Sequence, residues 1–467
     1  VSDEGNIFGT ALLDFNGQTP ALELDLKIPK MTLTGFKQLW PYPVASKARR
    51  WIIDNMKAGN VKDARLKANI PHGILGRIRK GAVIEREQLQ ATVPIINGRF
   101  KVLKELPDIQ NAVSTVHVDG MSVNLELDKG HMILPSKRKL DLTNSIIFID
   151  GQKPKPAPNS IDAILKVKGV MHDVLTLVSE SPINAKLPND FKPNNIKGNF
   201  DGEVKLNFLL EKKIKKEAVK WFADFDVINF ASKKPIQNVM MTSQKLHVQL
   251  NPSFAEVNGD VIINDIPAKM EITQNLNKKI EKASTRKIKI IANAKVRKKL
   301  GINLDNMLTG TLPVTVNFQE GQKHYNVNAD LTNVELKLPW VNWKKGKGIK
   351  GTLSFKYLGQ GNKKTISDFT LKGNKFYAKG DLTINDSELS RAKFSKIILN
   401  PGDNIAVDLK HNANTYTVNV SGKSYDARAV ISKVLDGADQ ASATVKNAGN
   451  LKMAVKITAL TVRALLL

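Results

Sequence analysis

Between Gly198 and Phe208 the chain alternates strictly. Val204, Leu206 and Phe208 fall to one side, and Glu203, Lys205 and Asn207 to the other. A period of two with one apolar face marks a half-buried β-strand, because helical apolar positions recur every three to four residues. The pattern returns from Gly310, where Leu312, Val314, Val316 and Phe318 alternate with Thr311, Pro313, Thr315 and Asn317. Each copy runs on through further alternating strands to a similar close. The first ends at Gly259-Asp260-Val261-Ile262-Ile263-Asn264 and the second at Gly380-Asp381-Leu382-Thr383-Ile384-Asn385. A long internal β repeat of this kind sets the fold class.

The rest of the chain follows the same period. Leu22, Leu24, Leu26 and Ile28 form one strand; Ala64, Leu66, Ala68 and Ile70 form another. Between Gly81 and Gly151 the alternation is less regular, although Val123, Leu125 and Leu127 keep it. Strands are also predicted at Leu246-Val248-Leu250, from Ile288 through Ala292 and Ala294 to Val296, and at Leu353-Phe355-Tyr357. From about Ala218, Val219, Trp221, Ala223, Phe225 and Val227 fit a strand better than the amphipathic helix that Ile214, Ala218 and Trp221 could form. Helices are expected near 43–58, between Pro43 and Gly59, over His172–Ser181, and from Asp426 to about Leu435. This divides the chain into an N-terminal β region (1–190), two β repeats (191–300 and 301–390) and a C-terminal β region with a helix (391–467).

So few helices are too little to cover the apolar face of so many strands. That face must close on itself, pack on another sheet, or stay open to an apolar ligand. With strands about 4.8 Å apart, one continuous sheet is on the order of 130 Å long. The expected fold is therefore mainly β, an elongated, curved antiparallel sheet whose inner face forms a hydrophobic groove. The candidate lining is Leu22, Leu24, Leu26, Val204, Leu206, Phe208, Leu246, Val248, Leu250, Val314, Val316, Phe318, Leu353 and Phe355.

Lys and Arg number 71 against 44 Asp and Glu, a formal charge of +27, which favours acidic partners. Cysteine is absent, which excludes disulfides, thiolate metal sites and cysteine nucleophiles. No run reaches the roughly 20 apolar residues that span a bilayer. The chain opens at Val1 and closes abruptly at Leu467, and reads as a segment of a longer protein.

Chemical motifs are weak. Gly346-Lys347-Gly348-Ile349-Lys350-Gly351 has dinucleotide-loop spacing but leads into a strand, and reads as a hairpin turn. Gly422-Lys423-Ser424 lacks the first glycine of a phosphate loop, since position 417 is Thr417. The seven histidines (72, 117, 131, 172, 247, 324 and 411) never pair at metal-ligand spacing and read as isolated surface or turn residues. No catalytic residue, metal or cofactor is expected, and the chain reads as a non-enzyme. Lysine clusters at 212–216, 278–289 and 297–299 read as solvated loops and outward strand faces, or as attraction to anionic head groups. Nucleic acid is disfavoured, because aromatics are only 6% and do not interleave with the basic residues.

Three stretches resemble the YhdP-type AsmA-like family. They are Trp40-Pro41 with Ala48-Arg49-Arg50-Trp51-Ile52, Asn55, Gly59 and Val61; Leu338-Pro339-Trp340-Val341-Asn342-Trp343-Lys344 with Gly348 and Gly351; and Gly422-Lys423-Ser424-Tyr425-Asp426-Ala427-Arg428. The resemblance runs from about residue 20 to 436. It implies a bacterial protein anchored in the inner membrane and facing the periplasm, with a long apolar β-groove that moves phospholipid toward the outer membrane. The implied partners are phospholipids, the inner membrane through an anchor outside this segment, and outer-membrane components. A ligand-free structural or adhesive β-repeat protein of the envelope is the alternative, and a salt-sensitive polyanion binder is a third reading.

Overall fold

The computed structural model describes residues 5–461 apart from 18, 41–45, 79–81, 102–106, 135–136, 153–158, 180–191, 211–217, 237–238, 278, 280, 282, 303, 305, 339–340, 342, 387, 413–414, 427 and 429–449. The fold is mostly β, as the alternation predicts. Among the described residues, twenty-three strands belong to one sheet that does not close on itself, and three short strands form a second. Two compact units divide the chain, 1–259 with 276–280 and 260–275 with 281–467.

In the first unit the strands are β1 (Gly5–Asp14), β2 (Ala21–Thr32), β3 (Met56–Ile70), β4 (Leu89–Phe100), β5 (Ile109–Asp119), β6 (Ser122–Ile133), β7 (Lys139–Asp150), β8 (Ser160–Val170), β9 (Ile196–Leu209), β10 (Lys220–Ser232) and β11 (Met241–Leu250), while β12 (Phe254–Ile263) ends beyond it. From β1 to β11 each strand pairs antiparallel with the next, so sequence neighbours are spatial neighbours. Helices α1 (Leu33–Leu39) and α2 (Ser46–Asn55) pack on β2 and β3. A single turn, α3 (Ile74–Arg77), follows β3, and α4 (Met171–Ser179) packs on β8 and β9 with Met171, Leu175 and Leu177 buried.

The irregular middle of this unit has one cause. Asp63, Asn97, Asn111, Asn144 and Asn229 each adopt a left-handed backbone with φ between 44° and 54°. Each sits where the strand register shifts. Asn and Asp tolerate this conformation better than other side chains. The bulge inserts one residue, so buried positions are three apart across it: Val61 then Ala64, Ile95 then Gly98, Leu142 then Ser145, Val227 then Phe230. Without the extra residue the remaining apolar set would turn outward.

The second unit contains β13 (Ile266–Asn275), β14 (Thr285–Ala292), α5 (Ala294–Lys299), β15 (Leu308–Gly310), β16 (Leu312–Gln319), β17 (Tyr325–Asp330), β18 (Val334–Leu338), β19 (Trp343–Lys345), β20 (Gly351–Gln360), β21 (Lys363–Gly373), β22 (Tyr377–Asn385), β23 (Glu388–Ile398), β24 (Asn404–Asn412), β25 (Thr415–Asp426) and β26 (Asn450–Thr461). The order β13-β14-β16-β17-β20-β21-β22-β23-β24-β25 is antiparallel throughout, and β26 joins β25 in parallel. The small sheet is β15-β18-β19. With α5 it packs on one end of the main strands, in a core formed by Val296, Leu308, Leu331 and Val334 against Ala292, Leu312 and Ala329.

Several local expectations change. The helix near 43–58 is shorter, because Met56 already pairs with Phe100 in β3 and is fully buried there. The preceding helix α1 has no counterpart in the sequence reading; Thr32 caps it, its Oγ accepting from Gly35 N at 3.1 Å. The strand drawn from Ile288 to Val296 stops at Ala292, because Asn293 caps α5 by accepting from Val296 N at 2.9 Å. Gly310 belongs to the small sheet, and the strand carrying Val314 and Val316 starts at Leu312. The glycine-rich 346–351 stretch is no hairpin, since β19 pairs with β18 while β20 pairs with β17. Of the helix expected from Asp426, only Arg428 past the strand is among the described residues, and it is helical.

Candidate functional site

Cross-strand registers align the apolar positions into rows that run perpendicular to the strands. In the first unit Leu26, Leu66, Ala91, Val118, Val123, Ile149, Ile161 and Phe208 are successive partners across eight strands. Leu22 and Leu24 lie beside Leu26 on the same face, opposite Ile70 and Ala68. Leu206 continues the row Ala163–Leu206–Trp221, and Val204 the row Leu165–Val204–Ala223–Leu250. Leu246 and Val248 pair with Val227 and Phe225. All these predicted positions therefore share one face.

In the second unit Ala268, Ile290, Val314, Ala329, Leu353, Leu371, Ala378, Ile397, Ile405 and Gly422 form a row across ten strands. A parallel row carries Met270, Ile288, Val316, Val327 and Phe355. Phe318 follows in the next row, opposite Arg286. Phe369, Gly380 and Phe394 are also partners; their two rings meet edge-on at 5.7 Å beside the glycine.

Burial separates the fourteen predicted residues. Leu206 (8% exposed), Phe208 (2%), Leu246 (4%) and Val248 (9%) are buried. The other ten, including every one in the second unit, are half-buried. A half-buried apolar row keeps surface that an apolar ligand can cover, at about 25 cal/mol per Å².

The opposite face is charged and internally paired. Asp226 accepts from Lys245 at 2.8 Å and lies 3.2 Å from His247, and Glu271 accepts from Lys289 at 2.7 Å with Lys287 at 3.3 Å. The lysine bonds hold both carboxyls below the usual acidic range. Lys287 and Lys289 are thus on the outward strand face, as the sequence suggests. Arg297 is not. It is buried, donating from Nη1 to the carbonyls of Ala292 (3.0 Å) and Gly310 (2.9 Å) and from Nη2 to Leu308 O (3.1 Å).

A second buried cation escaped the sequence reading. Lys345 donates to the carbonyls of Leu331 (2.6 Å), Val334 (2.9 Å) and Gly346 (3.1 Å), and burial lowers its pKa while nearby Asp330 opposes that. Arg297 and Lys345 pin the small sheet over one end of the apolar face. The parity of Trp343-Lys344-Lys345 was a usable signal, because it puts Lys345 on the side of buried Trp343. His411 also departs from an isolated surface role: it stacks on Tyr416 with ring centres 4.1 Å apart.

The arrangement offers apolar contact on one side and solvation on the other. Among the described residues there is no group of three or more His, Asp or Glu that could hold a metal ion, and no helix is long and apolar enough to cross a membrane. Comparison with known families matches residues 5–465 to the family described as YhdP protein. No curated protein and no solved structure matches.

Proposed function

The chain belongs to the YhdP family, and from that premise and its one-sided sheet we propose that it carries phospholipid acyl chains along the apolar face between the bacterial membranes. Family membership supports a lipid-transport role in the envelope. The finer reading rests on one observation, the half-buried apolar rows of the second unit. Acyl chains lie against Val314, Val316, Val327, Leu353 and Phe355, each buried methylene contributing about 0.8 kcal/mol. The row repeats similar side chains from strand to strand, so no single position binds much more tightly than its neighbours. Lipid can therefore slide, and direction comes from outside the groove. No residue acts as a catalyst in this reading. The protein faces the periplasm, and an anchor outside this segment holds it to the inner membrane.

Native mass spectrometry of the purified chain, with lipid extraction from the same sample, tests this. The expected result is several co-purifying phospholipids, reduced at least fivefold in Val316→Asp and Phe355→Asp proteins with unchanged circular dichroism. A lipid-free wild-type protein would overturn it.

A second reading, a ligand-free structural β protein, is favoured by the first unit, where Leu206, Phe208 and Leu246 are already buried. It predicts no bound lipid in any variant.

A further inference from the structure

The apolar face of the second unit has two unlike ends. One is covered by α5 and the small sheet. At the other end the same face carries charged and phenolic side chains. Arg286 follows the parity of Ile288 and Ile290, pairs with Phe318 and Ile272, and holds its guanidinium 5.6 Å from the Phe318 ring centre. Tyr325, exposed at 45%, stacks obliquely on the same Phe318 at 5.3 Å. Tyr325 pairs with Tyr357, whose hydroxyl lies beside Gly359, 3.1 Å from where a Cβ would stand. Gly359 pairs with Lys364, which shares this face and makes no ion pair among the described residues.

Charged residues are otherwise confined to the outward side of these strands, so an arginine and a lysine at one end of an apolar face need a reason. We infer that this end is a lip that binds the phosphate of lipid head groups, at two stations: Arg286 with Tyr325, and Lys364 with Tyr357. The inference rests on the groove reading above. Guanidinium and ammonium groups donate to phosphate oxygens. Tyrosine suits the boundary because its ring is apolar and its hydroxyl polar. Glu320, just beyond Phe318, accepts from Ser284 at 2.6 Å and places one carboxylate at this end of the sheet. Four strand spacings, about 19 Å, separate Arg286 from Lys364, too far for one phosphate to touch both cations, and the paired Tyr325 and Tyr357 lie between them. Each station therefore takes its own lipid, with the tails lying inward across Val316, Val327 and Phe355.

The test is a competition on the full chain between phosphatidylglycerol and diacylglycerol with the same acyl chains, read by native mass spectrometry. Wild type is expected to prefer the phospholipid by about tenfold, the scale of one charge-assisted hydrogen bond. The double variant R286Q/K364Q should fall to about twofold or less while binding diacylglycerol as wild type does, and R286K/K364R should restore the preference. Equal binding of both lipids by wild type, or a preference that survives in R286Q/K364Q, overturns the lip. Binding of neither lipid overturns the groove itself. An added arm uses inorganic phosphate: if it displaces phosphatidylglycerol but leaves diacylglycerol bound at the same level as without phosphate, the lip is a phosphate site. If phosphate binds while the lipid preference stays intact, a separate free-anion site is present and the head-group assignment fails.

Discussion

The ammonium of Lys345 lies 2.6 Å from the carbonyl oxygen of Leu331, inside a lysine side chain that is almost fully buried. The bond ties the short strand β19 to the segment by which the chain leaves the main sheet. Buried lysines are rare, and one with three carbonyl acceptors replaces most of the hydration it has lost.

Lys345→Met keeps the length of the side chain but removes the ammonium donor from three carbonyls, of which Leu331 O still accepts from Val334 N at 3.2 Å. Each unsatisfied buried acceptor costs about 1–3 kcal/mol. Hydrogen exchange of the β18 and β19 amides is expected to speed up at least tenfold, with little change in β23 and β24. Uniform exchange across the unit would show that Lys345 does not anchor the small sheet.

Asp108 gathers Lys57 (3.0 Å), Arg99 (2.7 Å) and Lys101 (3.7 Å) and is itself 8% exposed. Burial raises its pKa, but the hydrogen bonds and charges of Lys57 and Arg99 together outweigh that and hold it below the usual aspartate value. The unfolded chain then binds this proton at higher pH than the folded chain does. The stabilisation is thus complete above about pH 4 and is lost as pH falls through the folded value. Acid unfolding of Asp108→Asn is expected to depend less on pH below about 4 than wild type, and to start from lower stability at neutral pH. Parallel acid curves for the two proteins would count against this role.

Asn144 holds φ at 44° where β7 shifts register against β8. A β-branched residue there costs about 1–2 kcal/mol, and glycine little. Asn144→Val should lower the melting temperature by a few degrees, while Asn144→Gly stays close to wild type. Equal melting of both variants would remove the bulge as the reason for asparagine.

At Gly380 any Cβ would stand 2.4 Å from Lys393 O and 2.7 Å from the Phe394 ring. Gly380→Val would push the Phe369 and Phe394 rings off their edge-on contact and cost about 1–3 kcal/mol. Near-ultraviolet circular dichroism and thermal melting read both effects, and an unchanged spectrum would exclude the contact.

Much of this was legible because antiparallel neighbours are also sequence neighbours. Once Leu26 and Phe208 are each placed on an apolar face, a meander brings them into one row without long-range pairing to guess. The period broke where a single Asn or Asp added a residue: Asn97 and Asn111 made the 81–151 region look irregular, although three-residue spacing around an Asx was the available signal. Covering elements were harder to foresee. Alternation carries Ile288 through to Val296, and only the cap at Asn293 turns the chain into α5. Degree of burial was not readable at all. Leu206 and Val316 have the same local pattern, yet Leu206 is buried and Val316 half-buried, because covering depends on the neighbouring strands and helices.

The row from Ala268 to Gly422 crosses ten strands, a run of about 43 Å at the usual strand spacing. One acyl chain occupies half of a hydrocarbon layer about 30 Å thick. On the lipid-carrying function proposed above, the second unit alone has room for two or three lipids in file. A conduit of that capacity would work as a queue: one molecule would leave only as another entered, and throughput would depend on how often the file advanced, not on how tightly any one lipid was held.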